Sequence, residues 1–105
     1  IQRARLYRGD IAIAALDYTA SRTIAAQAAD ELLNIAGINT SFVLYPDGER
    51  VIMSARSIGD TNVQMILEPL GGGGNAATAG CQITGKDMNT VLHELIASID
   101  KYFEE

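Results

Sequence analysis

Apolar positions along the chain change period several times, and each change marks an element. Arg3 to Tyr7 alternates weakly, and Ile11 to Leu16 is almost continuously apolar, with Gly9-Asp10 between them. A tight turn there would join an edge strand to a strand buried on both faces. Ile24, Ala25, Ala28, Ala29, Leu32, Leu33 and Ala36 then follow the spacing of one helical face, with Ser21 placed to cap the start and Gly37 the end. Thr40 to Tyr45 and Arg50 to Ala55 flank Pro46-Asp47-Gly48-Glu49, whose Pro and Asp-Gly suit the inner positions of a hairpin turn. A short helix capped by Asp60 or Thr61 would put Val63, Ile66 and Leu67 on one face and stop at Pro69. After Gly71 to Gly74 the pattern gives a short strand, Cys81 to Thr84. Asp87 then caps a final helix with Met88, Val91, Leu92, Leu95, Ile96, Ile99, Tyr102 and Phe103 on one stripe.

The order strand, strand, helix, strand, strand, helix, strand, helix predicts an α/β domain. Its mixed β-sheet of about five strands would be covered by two long amphipathic helices and one short helix. At 105 residues the whole chain, 1–105, suits one domain with one core. It opens at Ile1 without methionine and so reads as a piece of something longer. The longest uncharged stretch, Pro69 to Gly85, is too rich in glycine and alanine for a membrane span. Eight basic against thirteen acidic residues give a net charge of −5, which argues against binding long nucleic acid; any phosphate must be gripped locally. The single cysteine, Cys81, excludes an intrachain disulfide and suits a reducing compartment.

The glycine run needs a physical reason, because each glycine in a folded segment costs roughly 0.5–1 kcal/mol relative to alanine. A flexible linker is the plain alternative, but the single strand and helix beyond it could not fold alone. Within a domain such a run permits positive φ and lets backbone N–H groups approach a bulky anion. No Gly-Lys-Ser/Thr follows, and a helix rather than a strand precedes it, so neither the Walker loop nor the dinucleotide fingerprint applies. Partial charges on N–H groups would need a guanidinium beside them. Arg56, in Ser54-Ala55-Arg56-Ser57, is the candidate, although a solvated arginine at a strand end accounts for the same local pattern. Arg22 and Arg50 look like ordinary exposed charges. His93 falls one position off the last helix's stripe, Cys81 suits a small buried hydrophobe, and Glu104-Glu105 is a short acidic tail. One histidine without paired aspartates cannot hold two water-activating metal ions, and no nucleophile has a base beside it, so no catalytic or metal-binding residue is expected here.

Ser54-Ala55-Arg56-Ser57, Gly59, Asn62-Val63-Gln64 and Leu70 to Gly74 followed by Ala79 resemble the DHH-associated domain, the C-terminal substrate-binding lobe of DHH-family phosphoesterases. Ser21-Arg22-Thr23, Ala25 to Asp30 and Ser41-Phe42-Val43 are similar to the subgroup that degrades cyclic di-AMP within a membrane-anchored bacterial signalling protein. The resemblance implies a cytoplasmic domain that meets a DHH lobe of the same chain. That lobe, absent here, would carry two manganese ions and perform the hydrolysis, leaving this piece inactive alone. It further implies that Arg56 grips a phosphate of a cyclic dinucleotide or short oligonucleotide. Ser54 and Ser57 would support the arginine while Gly71, Gly72, Gly73 and Gly74 close around phosphate and sugar. Histidine usually follows the glycines in the family; here Asn75 stands there, a neutral donor whose contact should be indifferent to pH between about 5 and 8. The same domain pattern resembles the lobe of oligoribonucleases for very short RNAs. It also resembles a non-catalytic module of alanyl-tRNA synthetases that contacts tRNA or self-associates, which would need a basic face. A homodimer through the strand Arg3 to Tyr7 is possible by composition but not required by it.

Overall fold

Six strands form one mixed sheet, and the alternation of side chains sends its two faces into separate apolar layers. The computed structural model describes residues 4–104. Its elements are β1 (Ala4–Tyr7), β2 (Ile11–Ala15), α1 (Arg22–Leu32), β3 (Thr40–Asp47), β4 (Arg50–Ser57), α2 (Val63–Leu67), a 3-10 turn over Glu68–Leu70, β5 (Gly73–Gly74), β6 (Thr78–Thr84) and α3 (Met88–Phe103). The strand order is β1-β2-β3-β4-β6-β5, with β2 and β3 parallel and every other pair antiparallel. The expected α/β class with a mixed sheet is the observed one. Arg3 of the expected first strand and Glu105 of the tail lie outside the described residues, as do Ile1 and Gln2.

On one face Ile11, Phe42, Met53, Ala55 and Cys81 meet Val63, Ile66 and Leu67 of α2 and Val91, Leu95 and Ile99 of α3. On the other, Ala25 and Ala29 of α1 pack against Val43, Tyr45 and Ile52. The small alanine face brings α1 close enough for the buried Ser41 hydroxyl to donate to the Ala29 carbonyl at 2.7 Å, fixing α1 over β3 and β4. Among the described residues no helix is long and apolar enough to cross a membrane.

Several boundaries differ from the sequence expectation, each for a local reason. Helix α1 ends at Leu32, and Gly37 (φ +88°) ends the turns that follow it. Ala36 is therefore exposed rather than on the packed face, and Ile24, in the first turn of α1, is exposed as well. The hairpin turn is the two-residue Gly48-Glu49, with Gly48 at φ +63°, while Pro46 and Asp47 remain in β3 opposite Val51 and Arg50. Positive φ at the first turn position suits the twist of the flanking strands. Asn62, not Asp60 or Thr61, caps α2 by accepting from the Met65 N–H, and Pro69 continues the chain into the 3-10 turn. The strand expected at Cys81–Thr84 starts at Thr78, and the end of the glycine run forms the edge strand β5.

Candidate functional site

Residues of β4 alternate between the faces. Ser54 and Arg56 point toward α1, whereas Met53, Ala55 and the buried Ser57 face α2 and α3. In the neighbouring strand Thr78, Gly80 and Gln82 share the α1 side, since Ala79, Cys81 and Ile83 are buried on the other. Helix α1 covers β3 and β4 but leaves the β6–β5 margin open. A cleft of about 320 Å³ results, lined by Arg22 and Ala26 of α1, Ser54 and Arg56 of β4, Gly73 and Gly74 of β5, and Thr78 and Gly80 of β6. Arg56 and the glycine strand, 17 positions apart at nearest, thus meet across two strand pairings.

The Arg56 guanidinium is held by two acceptors. Its Nε lies 3.2 Å from Asp30 Oδ1, and its Nη1 donates to the Ala55 carbonyl at 2.9 Å. The arginine side chain is 18% exposed and the aspartate 64%. An ion pair with so exposed a partner is worth only about 0–1 kcal/mol. Charge-assisted hydrogen bonds from a guanidinium to phosphate contribute about 1.5–3 kcal/mol each, so an anion entering the cleft can displace the carboxylate.

Gly71, at φ +92°, closes the 3-10 turn, and its N–H donates to the Glu68 carbonyl while that of Gly72 donates to the Leu67 carbonyl. A Cβ at Gly72 would lie 2.5 Å from the Gly80 carbonyl oxygen. Part of the run is therefore explained by close backbone packing, and only Gly73 and Gly74 reach the cleft, where they form the sheet edge. Asn75 stands just outside. Its Oδ1 accepts from the N–H groups of Ala77 and Thr78, both at 3.0 Å, and so closes the β5–β6 turn. Ser57 is likewise apart from the cleft, its Oγ accepting from the Gly59 N–H at 3.3 Å.

Of the sequence candidates the fold brings together Ser54, Arg56, Gly73 and Gly74, and it leaves Ser57, Gly71, Gly72 and Asn75 outside the cleft lining. It adds Arg22, read from the sequence as an ordinary exposed charge, and Asp30. Both could have been found from the helix: Arg22, Ala26 and Asp30 recur every four residues and so share one stripe. Burial pushes the Cys81 thiol pKa up, and its Sγ lies 3.4 Å from the Leu70 carbonyl oxygen, which suits a protonated packing group. Among the described residues no group of three histidine, cysteine, aspartate or glutamate side chains could hold a metal ion. A larger cavity, about 590 Å³, opens on the opposite face between α2 and α3. Its apolar lining of Met65, Pro69, Leu70, Ala97 and Tyr102 includes Lys101 and Glu94, but neither an arginine nor an open strand edge.

The fold and cleft define an α/β domain with helices on both sides of a mixed sheet and a glycine hairpin at its margin. Residues 8–105 match the DHHA1 domain family, and the chain belongs to it. It is 41% identical to the cyclic-di-AMP phosphodiesterase GdpP of Bacillus subtilis, over 99% of this chain and 16% of that protein. It is 37% identical to the cyclic-di-AMP phosphodiesterase PdeA of Listeria monocytogenes, with the same coverage. The chain thus spans about one sixth of these relatives' length. In fold it is similar to an exopolyphosphatase-related protein from Bacteroides fragilis, with a TM-score of 0.81 and 19% identity over 94% of this chain and 31% of that one. It is also similar to the C-Ala domain of Aquifex aeolicus alanyl-tRNA synthetase, with a TM-score of 0.72 and 14% identity over 98% and 99% of the two chains.

Proposed function

We propose that this chain is the substrate-binding lobe of a DHH-family phosphodiesterase that hydrolyses cyclic di-AMP or a related short dinucleotide. The observation that carries the reading is the convergence of Arg56 with the glycine edge strand in one cleft on the α1 side of the sheet. Likeness to two enzymes named as cyclic-di-AMP phosphodiesterases supports the substrate class. Arg56 would exchange Asp30 for a substrate phosphate, Ser54 would donate a further hydrogen bond, and Gly73, whose Cβ position is open, would let the sugar–phosphate approach the edge strand that it forms with Gly74.

Hydrolysis itself would take place with a DHH lobe of the same parent protein. The described residues here do not fit a two-metal centre, so the two manganese ions of the proposal belong to that lobe and no step is assigned to them on this chain. The parent would be membrane-anchored, with this lobe on its cytoplasmic side.

The test is Arg56→Ala in the two-lobe protein. Loss of the charged hydrogen bonds should weaken cyclic di-AMP binding by about 2–4 kcal/mol, measured by titration with hydrolysis suppressed. A change below about threefold, well under the 1.4 kcal/mol of a tenfold effect, would remove Arg56 from the site. Short RNAs in the same titration distinguish an oligoribonuclease.

A further inference from the structure

Three arginines approach the α1 side of the sheet, and two of them have a carboxylate partner. Arg50 meets Asp47 at 2.7 Å, and Arg56 meets Asp30 at 3.2 Å. Arg22 differs: among the described residues no carboxylate lies within ion-pair distance of it. Its Nη2 instead donates to Gln82 Oε1 at 3.1 Å, and the same oxygen accepts from Arg50 Nη1 at 3.3 Å. A carboxamide oxygen orients a guanidinium without neutralising it. Arg22 is therefore an aimed cation with uncompensated charge on the wall of the cleft.

Two independent spacings separate the residues that hold Arg22 and Arg56. Arg22 and Asp30, the partner of Arg56, stand eight residues apart on α1, about 12 Å along the helix axis. Thr78 pairs with Arg56, and Gln82, the partner of Arg22, lies four residues further along β6, about 13 Å away. The partners that hold the two guanidinium groups thus stand at opposite ends of the cleft, a separation that suits two phosphates better than one. Between them the walls are small, with Ala26, Ser54 and Gly80 leaving room for a sugar.

We propose that Arg22, oriented by Gln82, forms a second anion subsite, so that the cleft selects ligands carrying two separated phosphates over ligands carrying one. This rests on the reading of the cleft as a phosphate-ester site and adds the requirement for a second phosphate. A compact dinucleotide with two phosphate groups meets that requirement; a dinucleoside monophosphate does not.

The experiment uses the two-lobe protein with hydrolysis suppressed by chelation, and two probes: a 5′-phosphorylated diadenylate with two phosphates, and diadenosine monophosphate with one. Wild type should bind the first at least about tenfold more tightly, as one charge-assisted contact would give. Arg22→Ala and Arg22→Gln should abolish that preference while changing affinity for the one-phosphate probe less than about twofold, and Arg22→Lys should keep part of it because the charge remains. Unchanged affinity of both Arg22 variants for the two-phosphate probe would overturn the subsite, as would equal loss on both probes. Arg56→Ala separates the two readings. If it leaves both probes unaffected, the phosphate site itself fails whatever Arg22 does; if it weakens both while the Arg22 variants do nothing, only the second subsite fails.

Discussion

Asp30 Oδ1 lies 3.2 Å from Arg56 Nε, so the one arginine that sequence reasoning chose as a phosphate ligand has a carboxylate in contact with it. The contact joins α1 to β4 across 26 positions of sequence and has two opposing physical effects. It orients the guanidinium together with the Ala55 carbonyl, and it places a negative charge where an anion must approach.

Asp30→Asn separates these effects, because the amide oxygen can still accept from Nε while the charge is gone. Phosphate-bearing ligands should bind up to about fivefold more tightly, the equivalent of about 1 kcal/mol for an exposed pair, and the gain should shrink as salt rises. Titrations at low and high ionic strength check this. A loss of affinity in the variant would show that the charge serves orientation and does not compete.

The glycines of the run should separate by role. Gly72→Ala places a methyl group 2.5 Å from the Gly80 carbonyl oxygen and 2.8 Å from Cys81 Cβ. Gly74→Ala meets the Ala79 backbone at a φ of +146°. Each should lower stability by about 1–3 kcal/mol, the usual cost of overpacking. At Gly73 a Cβ would have nothing within 4 Å, so Gly73→Ala should stay within about 0.5 kcal/mol of wild type while weakening ligand binding in the cleft. Urea unfolding and titration measure the two quantities separately. Destabilisation by Gly73→Ala equal to that of Gly72→Ala would mean that the run acts in packing alone.

Asn75 raises a question of pH. A neutral amide gives no titration of its own, so ligand affinity through this position should be flat between about pH 5 and 8. Asn75→His introduces a group whose cationic form favours a bound phosphate. Binding raises the imidazole pKa, so the added affinity is present below about pH 6.5 and lost as pH rises through the elevated bound-state value. Titrations of the variant across that range test the sign; a flat profile would place residue 75 too far from the ligand to act. The substitution also removes the oxygen that accepts from Ala77 and Thr78, so a modest fall in stability should accompany it.

The alternating burial of β6 and the stripe of Val91, Leu95 and Ile99 in α3 show why the class of fold was readable without coordinates. Solvent imposes the period on each element separately, and no knowledge of neighbours is needed to detect it. Ser21 and Asp87 were legible for the same reason: each accepts from an N–H three residues ahead, a purely local bond. The cap at Asn62 was missed because Asp60, Thr61 and Asn62 are all able to make that bond, and only the path of the chain selects among them. The strand at Gly73–Gly74 was invisible because glycine has no side chain to carry a pattern and pairs only where β6 supplies its partner.

What the sequence determined by itself was therefore the periodic elements, the singular nature of the glycine run and the chemistry available in Arg56. Tertiary structure alone decided which residues share a space. It put Arg22 opposite the glycine edge, set Asp30 against Arg56, sent Ser57 to the other face and turned Asn75 into a turn residue. The reason is geometric: a strand's alternation is local, but which face meets which helix depends on strand pairings between positions far apart in the chain.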